Sequence, residues 1–120
     1  MGTTEGLKRG TIDILLLALL QKEDMYGYQI CQELKEKSQG LFTMTEGSLY
    51  PTLYRMLDKG YISDRSELVG RRRKRVYYHL EDAGREYLKE ALEQYYSLTR
   101  GILFALGKGD LKEIWNEEEQ

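Results

Sequence analysis

At 120 residues, 41% of them hydrophobic, the chain can fold around one modest core, and its composition is not that of a disordered segment. Its single cysteine, Cys31, excludes an internal disulfide and fits a reducing compartment; with one histidine, His79, it is too poor in soft ligands for a metal site. The formal net charge of −2 conceals a basic block: residues 65–80 carry net +5, between segments of −2 and −5, so bulk charge decides nothing about a nucleic-acid partner.

The N-terminus has no apolar stretch with a small-residue cleavage site, and the run Ile12 to Leu20 is about half the length of a membrane span. A cytoplasmic protein is expected. Thr11 to Leu20, TIDILLLALL, reads as a helix with Ile12, Leu15, Leu16 and Leu19 on one stripe and more apolar residues around it. A helix apolar nearly all round must be buried on more than one face. The expectation is that one side packs within the domain and another against a second subunit; a fully central helix is the alternative. Gly27 breaks the pattern, and a second helix runs from Tyr26 or Gly27 to Lys37, with Ile30, Cys31 and Leu34 inward and Gly40 as a left-handed cap. Leu41 to Met44 is extended or a turn.

A third helix starts near Thr45. If Thr45 is the cap, Pro51 falls in the second turn; if Ser48 is the cap, Pro51 loses no internal bond. Leu49, Leu53, Met56 and Leu57 form the inward stripe, and Lys59-Gly60 ends the helix. The period then changes. Residues 61–67 and 74–80 read as two strands joined by a loop of about six residues around Gly70, with a basic tip at Arg71, Arg72, Arg73, Lys74 and Arg75. Glu81 or Asp82 opens a long helix, in which Leu88, Leu92, Tyr95, Leu98, Ile102 and Leu106 recur at three- and four-residue steps. Over twenty residues, or roughly 30 Å, is too long to lie wholly on so small a domain, so this helix should pair with its symmetry mate. Gly107 and Gly109 end it. Leu111, Ile114 and Trp115 suggest a short amphipathic tail.

Three helices, a hairpin and a long helix make a mainly α fold with a small β-hairpin: a winged helix-turn-helix at residues 1–80, a dimerisation helix at 81–109 and an acidic tail at 110–120. The outward face of the third helix carries Ser48, Thr52 and Arg55, with Tyr50 and Tyr54 near its edges. Hydroxyls and an arginine there suit phosphate or base edges, and five adjacent cations at a hairpin tip repel one another unless an anion meets them. Arg73 or Arg75 pairing with Asp64 or Glu67 across the strands is the competing use of that charge. No catalytic constellation, phosphate loop or cofactor motif is present, so an enzyme is not expected, and no cofactor is.

The segments LKRGTIDILLLALLQKEDMYGYQICQEL (7–34), EGSLYPTLYRMLDKGYI (46–62) and GRRRKRVYYHLEDAGREYL (70–88) resemble the PadR family of bacterial transcriptional regulators, in its small form with a single C-terminal dimerisation helix. The resemblance implies a homodimer on an inverted-repeat double-stranded DNA operator, usually repressing. It places Tyr28, Ser48, Tyr50, Pro51 and Arg71 to Arg73 in or near the DNA surface, with Lys8 or Arg9 adding a phosphate contact. The expected dimer seam is Ile12, Leu15, Leu16, Leu19, Leu88, Leu92, Tyr95, Leu98 and Ile102. Some members bind aromatic or flat cationic compounds at the dimer centre through a Trp on the long helix, whereas Trp115 lies beyond Gly107 and Gly109. An effector cavity lined by Leu15, Leu19, Tyr95, Tyr96 and Phe104 is one expectation and a solid apolar seam the other. A winged-helix protein-interaction module without a specific operator is the alternative function.

Overall fold

The computed structural model describes residues 10–113. In chain order these form α1 (Thr11–Lys22), β1 (Met25–Tyr26), α2 (Gly27–Lys37), α3 (Glu46–Asp58), β2 (Ile62–Val69), β3 (Arg73–Leu80) and α4 (Asp82–Leu106). Contacts divide the chain into two compact units, residues 1–88 and 89–120, so the division falls within α4. Among the described residues no helix is long and apolar enough to cross a membrane. The expected readings at Lys8, Arg9, Ile114 and Trp115 lie outside the described residues.

The core of the first unit explains why α1 is apolar nearly all round. Leu16, Leu17, Leu19 and Leu20 are all buried, together with Ile30 and Leu34 of α2, Leu49, Leu53 and Met56 of α3, and Leu88 of α4. Met25, Ile62, Tyr78 and Leu80 close that core from the sheet. The central-helix alternative therefore describes these leucines. Leu16, Leu19 and Leu88, expected in a seam between subunits, are spent inside this chain; Ile12 and Leu15 are half-buried against the same core.

The sheet has three antiparallel strands in the order β1-β3-β2, one more than the expected hairpin. Residues Met25 and Tyr26 pair with Tyr78 and Tyr77, so the chain entering α2 is stitched to the wing. Pairing of β2 with β3 runs from Ile62↔Leu80 to Val69↔Arg73. The connection is thus Gly70, Arg71 and Arg72, shorter than the six residues expected, because Leu68 and Val69 continue one strand and Arg73 starts the other. Gly70 has φ 71°, a left-handed turn position that suits glycine.

Local signals set the helix ends. Thr45 is the N-cap of α3 in a capping box: its hydroxyl accepts from the Ser48 backbone N–H at 3.1 Å, and Ser48 Oγ accepts from the Thr45 N–H at 3.2 Å. Pro51 consequently sits in the second turn, where its missing N–H leaves the Gly47 carbonyl without the usual helical donor. At the end of α2 the left-handed position is taken by Gln39 (φ 54°) as well as by the expected Gly40. Gln39 and Gly40 donate back to the Glu36 and Lys35 carbonyls, which satisfies the helix terminus.

Candidate nucleic-acid interface

The residues Glu46, Tyr50 and Tyr54 stand four apart on α3 and so share one face of that helix. Opposite them runs β3 with Arg73, Lys74, Arg75, Val76 and Tyr78; Tyr26, Gly27 and Tyr28 form the near end, and Asp64 enters from β2. Together these line an open groove of about 810 Å³. It is aromatic on the helix side and cationic on the wing side.

Gly27 packs close to the α3 side chains at the groove's near end. A Cβ there would lie 2.9 Å from the Tyr50 hydroxyl and 3.5 Å from Glu46 Oε1. Tyr50 is half-buried and stacks on the exposed Tyr54, ring centroids 6.1 Å apart. Burial pushes the Tyr50 phenol above its ordinary pKa, and the neighbouring Glu46 carboxylate adds to the shift by its charge and as a hydrogen-bond partner. Burial likewise holds Tyr78 at about 12, so both rings act as neutral hydrogen-bonding groups at physiological pH. Tyr28 is exposed at the start of α2, its hydroxyl accepting from Gln32 Nε2 at 2.9 Å.

Expected site residues divide into several kinds. Arg71 and Arg72 are exposed in the turn, with Arg73 and Lys74 exposed beside it at the start of β3. Arg75 lies over the Tyr26 ring, 4.2 Å from its centroid, a cation–π contact that fixes its guanidinium at the groove edge. Its register partner Glu67 is engaged elsewhere, accepting from Arg65 Nε at 3.0 Å. Pro51 and Ser48 are exposed and Thr52 is half-buried, but the Ser48 hydroxyl already serves the capping box.

Arg55 departs from its expected role as an outward donor. Its guanidinium makes a bidentate pair with Asp13, at 2.7 and 2.9 Å, and so ties α3 to α1. The hydrogen bonds that Arg55 donates to Asp13 raise its pKa further, against the smaller effect of burial. With both carboxylate oxygens matched to its fork, Arg55 fixes the pose of α3 instead of pointing away from it.

A second polar cluster fixes the wing. Asp24, just before β1, meets His79 Nδ1 of β3 at 2.7 Å and accepts from Arg65 Nη1 of β2. Burial alone would raise the Asp24 pKa, but the hydrogen bonds and charges of His79 and Arg65 outweigh it and hold the carboxyl below its usual value. Arg65 also lies over Tyr77, which packs edge-on against Tyr26 at 5.6 Å. These contacts join both long strands to the segment that leads into α2.

Of the groove-lining residues, Tyr26, Gly27, Glu46, Asp64, Val76 and Tyr78 were not among those expected to meet DNA. The four-residue spacing of Glu46, Tyr50 and Tyr54 was the available signal for Glu46. The seam and cavity residues separate by unit. Leu15 and Leu19 line a groove of about 530 Å³ with Leu34, Leu41 and Phe42 in the first unit. In the second unit Leu92, Tyr95, Leu98 and Ile102 are exposed, and Tyr96 and Phe104 flank Arg100, 5.7 and 5.2 Å from its guanidinium carbon.

Comparison with known proteins gives this arrangement a context. The sequence profile of the transcriptional regulator PadR-like family matches residues 16–90. An uncharacterized protein of Lysinibacillus sphaericus is 32% identical over 87 residues, 72% of this chain and 80% of that protein. The negative transcriptional regulator PadR of Bacillus subtilis is 30% identical over 77 residues, 64% of this chain but 42% of that longer protein. The crystal structure of Bacillus subtilis PadR in complex with operator DNA superimposes with a TM-score of 0.64 at 28% identity, covering 68% of this chain and 47% of that one. A transcriptional regulator from Clostridium thermocellum superimposes at 0.74 with 29% identity, covering 81% of this chain and 94% of that chain.

Proposed function

We propose, from the premise that this chain belongs to the PadR-like family of transcriptional regulators, that it represses transcription as a homodimer bound to an inverted repeat in double-stranded DNA. The observation that carries the proposal is the groove between α3 and β3, where a tyrosine-bearing helix face stands opposite the adjacent cations Arg73, Lys74 and Arg75. An α-helix fits the major groove, and Tyr28, Tyr50, Pro51, Thr52 and Tyr54 are the groups that α2 and α3 bring toward base edges and sugar-phosphate there. The wing then runs beside the duplex, with Arg71 and Arg72 at its tip suited to phosphates or to a narrow minor groove. Arg55 is withdrawn from this set because Asp13 holds it. The operator-bound Bacillus subtilis relative supports the reading of the partner, and its designation as a negative regulator supports repression.

Residues 1–80 would then form the DNA-binding region and 81–109 the dimerisation region. The dimer seam narrows to the exposed apolar residues of α4, Leu92, Tyr95, Leu98 and Ile102, with Ile12 and Leu15 still available in part. A small aromatic effector would use the exposed Tyr95, Tyr96 and Phe104 rather than the buried Leu19.

The test is mobility shift with the duplex upstream of the protein's own gene, against scrambled duplex as competitor. The proposal expects a complex that survives excess scrambled DNA and weakens steeply with salt. Equal competition by both duplexes at that site and at selected sequences would instead favour a winged-helix interaction module.

A further inference from the structure

We propose that Glu46 is a specificity-determining residue: its carboxylate, on the helix side of a groove whose wing side is cationic, reads a base amino group and penalises DNA that presents none. The inference rests on the DNA-binding reading above and deepens it. Glu46 is the first residue of α3, fixed by the Thr45–Ser48 capping box, and an ionised carboxylate is favoured at a helix N-terminus. Its carboxylate lies over the near end of the groove, Oε1 standing 3.5 Å from where a Cβ on Gly27 would be, and its charge reaches the Tyr50 phenol one turn along.

The chemistry of that position is selective. Arg73, Lys74 and Arg75 line the same groove and attract any duplex through its phosphates. A carboxylate among them opposes phosphate and the N7 and O6 acceptors of guanine, and it accepts only from a donor. In the major groove the donors are the N4 amino group of cytosine and the N6 amino group of adenine, cytosine being the usual partner of an acidic side chain. Asp64 also lines the groove, but from the hairpin; Glu46 stands on the helix that the major groove admits. The capping box fixes the backbone that carries Glu46, with the half-buried Tyr50 one turn along the same face, so the acceptor's position on α3 is set before DNA arrives.

The experiment measures binding of wild type and Glu46→Gln to the preferred duplex, to scrambled duplex, and to single base-pair variants across one half-site. Glutamine keeps the shape while removing the charge and adding a donor; equal melting temperatures check the fold. The expected result is that Glu46→Gln lowers the preferred-over-scrambled ratio by about tenfold or more, by binding scrambled DNA more tightly and losing preference at one base-pair position. If Glu46→Gln tightens binding to every duplex by one common factor, Glu46 is only an electrostatic brake and the inference is overturned. Unchanged base preferences overturn it also. A wild type that prefers no duplex at all removes the DNA-reading premise itself, a failure separable from the other two.

Discussion

Arg72 lies exposed in the hairpin turn, while Arg55 is matched to both oxygens of Asp13. Their replacements should therefore report on different things. Arg72→Ala is expected to weaken binding to specific and scrambled DNA alike and to reduce the slope of log affinity against log salt by about one unit. Arg55→Ala should leave that slope unaltered in first order but lower stability by about 1 kcal/mol, since it breaks a partly exposed pair that orients α3. Titrations at several salt concentrations, beside thermal melts, separate the two; equal salt slopes for wild type and Arg72→Ala would remove Arg72 from the contact set. Sequence alone could not tell these arginines apart. The separation of 42 positions between Asp13 and Arg55 hides their pairing, whereas a run of five cations announces itself locally.

Asp24 contributes a pH dependence of stability in the acid range. Its carboxyl is held below the ordinary carboxylate pKa by His79 and Arg65 despite some burial. A depressed folded-state pKa stabilises the fold at pH values above the unfolded pKa of about 4, and the contribution disappears as pH falls through the lower folded value. Asp24→Asn should accordingly melt lower than wild type at pH 7, by a destabilisation on the order of 0.5–1 kcal/mol given the partial exposure of the cluster. The difference should shrink as pH is taken from 5 toward 2. Melting curves at stepped pH give the answer, and a gap that stays constant through that range would mean the charge of Asp24 is not what joins the wing to β1.

At the scale of elements, α3 is the decisive piece, and its start was ambiguous for a physical reason: Thr45 and Ser48 both carry cap-forming hydroxyls, and the capping box uses both. Thr45→Ala should cost about 1 kcal/mol, measured by denaturant unfolding, and should weaken DNA binding more than its stability loss explains, because Glu46 and Ser48 lose their fixed backbone. The two-residue β1 was invisible because it is too short to show a strand period, and it exists through its pairing with β3. The long wing strands were underestimated because a basic run resembles a loop by composition while the ladder continues through Val69↔Arg73. The inward stripes of α2 and α3 were legible, since Ile30, Leu34, Leu49, Leu53 and Met56 follow the helical period and are buried. Another close approach had no sequence signal: a Cβ at Gly84 would meet the Tyr61 carbonyl oxygen at 2.2 Å, so α4 begins flush against the chain leaving α3.

At the scale of the molecule, the order of elements and the family were readable because amphipathic periods, the basic hairpin and the GSLYP segment are local features. The allocation of α1 was not. An all-round apolar helix has the same sequence whether its own chain or a partner covers it, and here the first unit takes Leu16, Leu17, Leu19 and Leu20 for its core. The apolar positions of α4 that stay exposed are those the proposed dimer would use. Leu98, 68% exposed, is the sharpest probe of that role. Leu98→Asp should sediment as a monomer and keep the fold of the first unit, because in the proposed dimer the new charge enters an apolar seam and no core. A variant that still sediments as a dimer and binds DNA normally would place the seam elsewhere.

The most direct measurement is a hydroxyl-radical footprint of the wild-type protein on the duplex it prefers. Two symmetric half-sites centred about one helical turn apart, roughly 34–36 Å, are predicted, with flanking protection where the wings reach; Arg71→Ala combined with Arg72→Ala should erase the flanks first. A single unsymmetric patch, or uniform protection along the whole duplex, would contradict a homodimer that reads an inverted repeat with α3 and its wing.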